Sequence, residues 1–245
     1  MFELFVKAAS LPEAYHQALV ALHENHDEMP CPDYNTRQKE ASMTFVVENP
    51  LEEPMISKMF IGSPRSLEQY RQEMLDGILD FEVERGNWEY TYHQRMEKQI
   101  PWLISELQRS PESRRAVVLT RTESDMQTDS PSCLQHMQFF IRGGALHCKV
   151  LFRSNDATKA TYMNAFALIM IQKRIADTLG LPIGSYTHRA NSFHVYERDY
   201  EMFDGYIRRI KSGGELSFHF EGDWDEQMEE AKPEIAEMVQ ELRSR

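Results

Sequence analysis

SPSCLQHMQFFIRGGALHCKVLFRSND, residues 130–156, is the stretch on which the fold turns. Two β-prone runs, the first ending at Arg142 and the second starting at Ala145, flank Gly143-Gly144. A two-glycine loop between such runs specifies a hairpin, because glycine adopts the positive φ that tight hairpin turns need. If Arg142 and Ala145 oppose each other, an unbroken ladder sets Cys133 against Ser154 and Leu134 against Arg153. One possible nucleophile thus stands beside the cluster Arg153-Ser154-Asn155-Asp156, which points to covalent chemistry. Strict alternation, however, puts Arg153 on the face opposite Cys133. Sulfur and guanidinium meet only if a bulge or twist near one end of the hairpin re-aims one of them.

Working outward, 245 residues that are 41% apolar suffice for a large core, and no composition break divides them, so one domain over 1–245 is expected. Met1 to Lys7 lacks a basic leader, and no window approaches the ~20 apolar residues of a membrane span. The expectation is a soluble, cytoplasmic protein with no membrane partner. Cys31, Cys133 and Cys148 lack the paired spacing of a zinc site or disulfide framework, so reduced thiols and no metal are expected. A net charge of −12 argues against broad nucleic-acid binding, which draws its affinity from cations that displace counterions. A small anion can still be held locally, by Arg114-Arg115, Arg153 or the Arg37 to Lys39 segment.

Helical spacing marks Leu11 to Glu28, then Ser66 to Glu82 with Ser66 as its cap, Ile100 to Gln108, and Ala160 to Leu179, which is apolar on so many sides that it should be central. Glu73 falls in the second of these and Asn164 near the start of the last. Met29 to Glu40 reads as a polar loop, Ala41 to Glu48 and Ala116 to Thr120 as strands, and Glu226 to Arg243 as a charged helix. Ser192 to Tyr196 alternates as a strand with His194 and Tyr196 on one face. Trp88, Tyr90, Tyr92 and His93 cluster in a segment without clear periodicity. There is no internal repeat, glycine-rich phosphate loop or metal-ligand spacing.

Several of these motifs occur together, in an order that resembles the thymidylate synthase family: Ser113-Arg114-Arg115, then Pro131-Ser132-Cys133, Gln138-Phe139-Phe140, Arg153-Ser154-Asn155-Asp156, Asn164, and His194-Val195-Tyr196. The matches span roughly residues 70 to 200, and the wording is most similar to the compact archaeal-type synthases. The resemblance implies a three-layer α/β (α+β) fold with a large mixed sheet, dimerising sheet to sheet. It also implies methylation of dUMP to dTMP with 5,10-methylenetetrahydrofolate, or a modified pterin, as cosubstrate.

Each implied role suits its residue. Cys133 would add to pyrimidine position 6 as a thiolate, and Arg153 would favour that anion while meeting phosphate with Ser154. Glu73 would serve acid and base steps through water. Asp156 would hold the pterin and help fix the pyrimidine, and Asn164 would read the pyrimidine edge. His194 and Tyr196 would bind the deoxyribose hydroxyl, Tyr92 would stand near the nucleophile, and Trp88 would join the folate wall. Arg37, or Lys39, would bind phosphate from the N-terminal arm, while Arg114 and Arg115 would reach the neighbouring site of an obligate homodimer.

Two departures stand out. Leu134 occupies a position where many synthases have histidine, and Gln240 to Arg245 replaces the usual apolar tail over the folate, so closure should differ or be absent. The resemblance leaves two alternatives. One is a deoxyuridylate or deoxycytidylate hydroxymethylase, in which water traps the exocyclic methylene; cytosine-specific members carry aspartate where Asn164 stands. The other is a nucleotide- or RNA-binding regulator with little turnover.

Overall fold

The computed structural model describes residues 1–219 and 224–244. Along the chain it runs β1 (Glu3–Ala8), α1 (Leu11–Glu24), β2 (Asp27–Cys31), β3 (Thr36–Val47), β4 (Ile56–Ser57), α2 (Pro64–Asp76), α3 (Phe81–Glu84), α4 (Tyr92–Met96), α5 (Gln99–Arg109) and β5 (Val117–Leu119). It continues through β6 (Leu134–Arg142), β7 (Ala145–Phe152), β8 (Asn155–Asp156), α6 (Thr161–Leu179), β9 (Ile183–Tyr196), α7 (Tyr200–Ser212), β10 (Ser217–Phe218), α8 (Trp224–Gln227) and α9 (Ala231–Ser244).

The main sheet is ordered β1-β3-β9-β7-β6-β5, with β2 also beside β3 and β8 also beside β9. It is mixed: β1 runs parallel to β3 and β7 parallel to β9, while β3–β9, β6–β7 and β5–β6 are antiparallel. The register aligns side chains in rows. Val118, Met137, Val150, His188 and Phe45 form one buried row, and the next, Leu119, His136, Leu151, Arg189, Thr44 and Phe5, is partly or fully exposed. One sheet face is therefore covered and the other open. The cover is α6, buried along most of its length, together with α1 over β1 and β3, and α2 packs against α6, which gives three layers. Gln172 fastens α6 to the sheet by donating to the carbonyls of Leu146 at 2.8 Å and Gly184 at 3.1 Å.

Five sequence expectations change. The helix expected over Leu11 to Glu28 ends at Glu24, and β2 begins at Asp27. Met29 to Glu40 is not a loop: β2 and β3 form a hairpin through it, turning at Asn35, whose φ of 48° lies in the left-handed region. Ser63, not Ser66, caps α2; Ser66 supplies the returning half of the capping box, and Gly77 in the left-handed conformation ends the helix well before Glu82. The C-terminal helix is broken between α8 and α9; Arg245, the last residue of the expected polar tail, lies outside the described residues. The ladder of the β6–β7 hairpin also differs, and this bears directly on the site.

Candidate active site

From Arg142↔Ala145 to His136↔Leu151 the β6–β7 ladder is regular, but beyond a bulge at Gln135 it resumes as Leu134↔Phe152. The offset carries on past the strand: the Arg153 N–H donates to the Cys133 carbonyl at 2.8 Å. Cys133 therefore opposes Arg153 rather than Ser154, and Leu134 does not oppose Arg153. A bulge places two residues opposite one, so it returns the cysteine and the arginine to the same side. The guanidinium folds onto the nucleophile segment, donating from Nε to the Ser132 carbonyl at 3.1 Å and from Nη2 to the Pro131 carbonyl at 2.7 Å. Burial pushes the Cys133 thiol up, and Arg153 pulls it back toward the thiolate.

Beside this hairpin lies a cavity of about 410 Å³ lined by residues that include Tyr70, Glu73, Leu79, Trp88, Tyr90 and Tyr92. Burial raises the Glu73 carboxyl above the usual range, against the hydrogen bond it accepts from Gln69 at 2.9 Å. Burial favours its protonated form, which suits a carboxyl to proton exchange with a bound group. Burial, and then the nearby charges of Glu73 and Cys133, push the Tyr70 phenol up, which marks both groups as its neighbours. The Tyr92 hydroxyl accepts from the Leu134 N–H at 3.1 Å, tying the cavity wall to the residue after the cysteine. Tyr90 is held under Arg95, 3.9 Å from its ring, and Arg95 pairs with Asp125 through two hydrogen bonds of 2.6 and 2.7 Å. Trp88 is 43% exposed at the rim.

Asn164, 7% exposed in the first turn of α6, accepts at Oδ1 from the Tyr70 hydroxyl at 2.7 Å. Pairing of β8 with β9 sets Asp156 opposite His194. Asp156 Oδ1 is occupied by Thr158 N–H, Thr158 Oγ1 and Lys159 N–H at 2.9 to 3.0 Å. Burial lowers the His194 imidazole while Asp156 works the other way, and its buried Nε2 lacks a partner among the described residues. The His194 and Tyr196 rings meet edge to face at 4.7 Å. Glu40 of β3 pairs with His194, and Gln38 with Tyr196, which brings the arm to the same end. There Arg37 is paired with Glu28 at 2.8 Å and the Lys39 amine lies 4.4 Å from the Tyr200 ring.

Arg114 and Arg115 are exposed at the entrance to β5; Arg115 Nε donates to Glu106 at 3.0 Å. Gln138 donates to the Arg114 carbonyl at 2.9 Å, linking two of the sequence motifs. Within one chain the arginine acting on Cys133 is Arg153, not this pair. Among the described residues no group of His, Cys, Asp and Glu could hold a metal ion, and no helix is long and apolar enough to cross a membrane.

The family pattern described as thymidylate synthase matches residues 68–238. The chain belongs to the thymidylate synthase family. A putative thymidylate synthase of Methanocaldococcus jannaschii is 31% identical over 215 residues, covering 83% of this chain and 96% of that one. Another, from Methanosarcina barkeri, is 26% identical over 213 residues, covering 84% and 95%. Thermostable thymidylate synthase A from Bacillus subtilis superposes with a TM-score of 0.69 at 16% identity, covering 86% of each chain, which establishes the shared fold. Family membership thus agrees with the motif order from Ser113 to Tyr196.

Sequence reasoning did not single out Tyr70. Its spacing was the available signal: Tyr70 and Glu73 stand three apart in α2 and so share a face. The Leu134 N–H is a backbone group, and no side-chain pattern announces it.

Proposed function

We propose that the protein methylates dUMP to dTMP, using a methylene-bearing reduced pterin that supplies both the carbon and a hydride. The observation that carries this reading is that Glu73 and Tyr70 line one aromatic-walled cavity, with Asn164 bonded to Tyr70, Cys133 close enough for its charge to act on Tyr70, and Arg153 opposite Cys133. The thiolate of Cys133 adds to pyrimidine position 6, Arg153 favours that anion, and position 5 becomes nucleophilic. Glu73 moves the protons that this addition and its reversal require. Asn164 offers one donor and one acceptor, the pattern that complements uracil.

Trp88, Tyr90 and Leu79 give the cavity flat apolar walls suited to a pterin ring. His194, with its unpartnered Nε2, and Tyr196 suit the deoxyribose hydroxyl. Arg153 and Ser154 suit the phosphate, joined by Arg37 from β3. Asp156 holds the pterin side and steadies the pyrimidine through its neighbour His194.

The open sheet face, with Phe5 66% and Leu119 54% exposed, supports pairing of two chains sheet to sheet, in which exposed Arg114 and Arg115, the second bonded to Glu106, reach a partner's phosphate site. Light scattering should then give twice the chain mass.

Incubation of the protein with dUMP labelled with tritium at position 5 and methylenetetrahydrofolate tests the reaction. Tritium release with dTMP and dihydrofolate is expected. Formation of 5-hydroxymethyl-dUMP with tetrahydrofolate would overturn methylation in favour of hydroxymethylation, and tight dUMP binding without release would favour a regulator.

A further inference from the structure

Asn164 is the group on which base choice rests in the reading above, yet an amide alone cannot choose. Its oxygen and nitrogen ends are nearly the same size, and a half-turn exchanges acceptor for donor. What fixes the turn is the neighbour. Asn164 Oδ1 is engaged by the Tyr70 hydroxyl at 2.7 Å, whereas its Nδ2 has no hydrogen-bond partner among the described residues. Tyr70 comes from α2 and Asn164 from α6, two helices packed directly against each other, so the contact is part of the layer interface.

We infer that Tyr70 determines base specificity: by donating to Asn164 Oδ1 it holds the amide with Nδ2 turned to the pyrimidine, which selects uracil over cytosine. The inference rests on the dUMP reading. Uracil offers an acceptor at O4 and a donor at N3. With one Oδ1 lone pair taken by Tyr70, the second accepts from N3–H while Nδ2 donates to O4, so every group is satisfied. Cytosine offers a donor at its 4-amino group and an acceptor at N3. The amide must turn over to meet it, and Nδ2 then points at the phenol oxygen.

A phenol is a good donor and a poor acceptor, because its lone pair is delocalised into the ring. The turned amide therefore trades a strong hydrogen bond for a weak one and strands the phenol proton. Burial pushes the Tyr70 phenol well up, so it remains a donor throughout the working range.

Tyr70→Phe deletes the hydroxyl and keeps the ring. Dissociation constants for dUMP and dCMP and rates of hydrogen exchange at position 5 of each should be measured for both proteins. The preference for dUMP over dCMP should fall roughly tenfold, the worth of one hydrogen bond, with most of the change appearing as improved handling of dCMP. In an Asn164→Asp background, which has no amide to orient, the same change should leave the ratio nearly where it was.

An unchanged ratio in Tyr70→Phe overturns the inference, and so does an equal loss for both nucleotides, which is what a purely structural contact gives. If Tyr70→Phe does not fold, Tyr70→Met, also without a donor, is judged by the same ratio. Wild-type protein that neither binds dUMP nor exchanges its position 5 hydrogen overturns the dUMP reading, and this inference with it. A wild type that prefers dUMP while both Tyr70 variants prefer it equally overturns the inference alone.

Discussion

Tyr92→Phe removes one oxygen and tests how the nucleophile segment is held. Leu134 is fully buried, and its N–H donates to the Tyr92 hydroxyl at 3.1 Å. Without that acceptor the N–H is left unpaired, at a cost of about 1–3 kcal/mol, while relief from burying the phenol oxygen returns part of it. A net loss of about 1–2 kcal/mol follows, and in a protein of this size each kcal/mol lowers the melting temperature by about 2–4 °C, so a drop of about 2–8 °C is expected. Urea unfolding should show a lower midpoint at the same slope. Cys133 immediately precedes Leu134, so a loosened segment misplaces the sulfur, and a shift on the order of 1 Å can cost about a hundredfold in turnover. The kcat should fall much further than dUMP affinity. Tyr90→Phe, which leaves the Leu134 contact intact, is the control. Unchanged melting and unchanged kcat in Tyr92→Phe would refute the reasoning, because the N–H would then be satisfied elsewhere.

Cys133→Ser should abolish tritium release from dUMP while dUMP binding, followed by calorimetry, stays within a few-fold; measurable turnover rules out the covalent adduct. Glu73→Gln should cut turnover by about 10²–10⁴-fold and yet raise thermal stability at neutral pH. The sign follows from the shift: a carboxyl raised on folding withdraws stability as pH rises through its unfolded value toward the folded one, and an amide does not. A less stable Glu73→Gln contradicts this. Burial lowers His16 to about 4, so its contribution is fully present above the unfolded value near 6.5 and is lost as pH falls toward 4. His16→Gln, with an amide near Ser57 Oγ, should therefore lose about 2 kcal/mol less than the parent between pH 7 and 5 in urea titrations; parallel pH profiles would contradict the shift.

Where the chain's own pattern was local, it was legible. Gly143-Gly144 announced the β6–β7 turn, the apolar density of α6 announced a central helix, and the order of short motifs announced the family. The β2–β3 hairpin was not legible because Thr36 to Glu40 is polar and acquires its strand character from partners far away, with Gln38 pairing with Tyr196 and Glu40 with His194. The α2 start was misread by one turn because Ser63 and Ser66 both take part in one capping box and only geometry assigns the cap. Tyr70 was hidden for a related reason, since its partner Asn164 is distant in sequence.

The bulge at Gln135 also bears on how the chain reaches its native form. Counting inward positions back from Met137 in an unbroken strand would turn the Gln135 amide toward the apolar layer and Leu134 away from it, whereas with the bulge Leu134 and Met137 are both fully buried. A hairpin that closes in the unbroken register therefore strands a polar amide and wets a leucine, losses of about 1–3 kcal/mol each. The slipped form loses the competition before any substrate is present. Fidelity of folding and alignment of the cysteine with its arginine are thus enforced by one residue, so selection for either preserves the other.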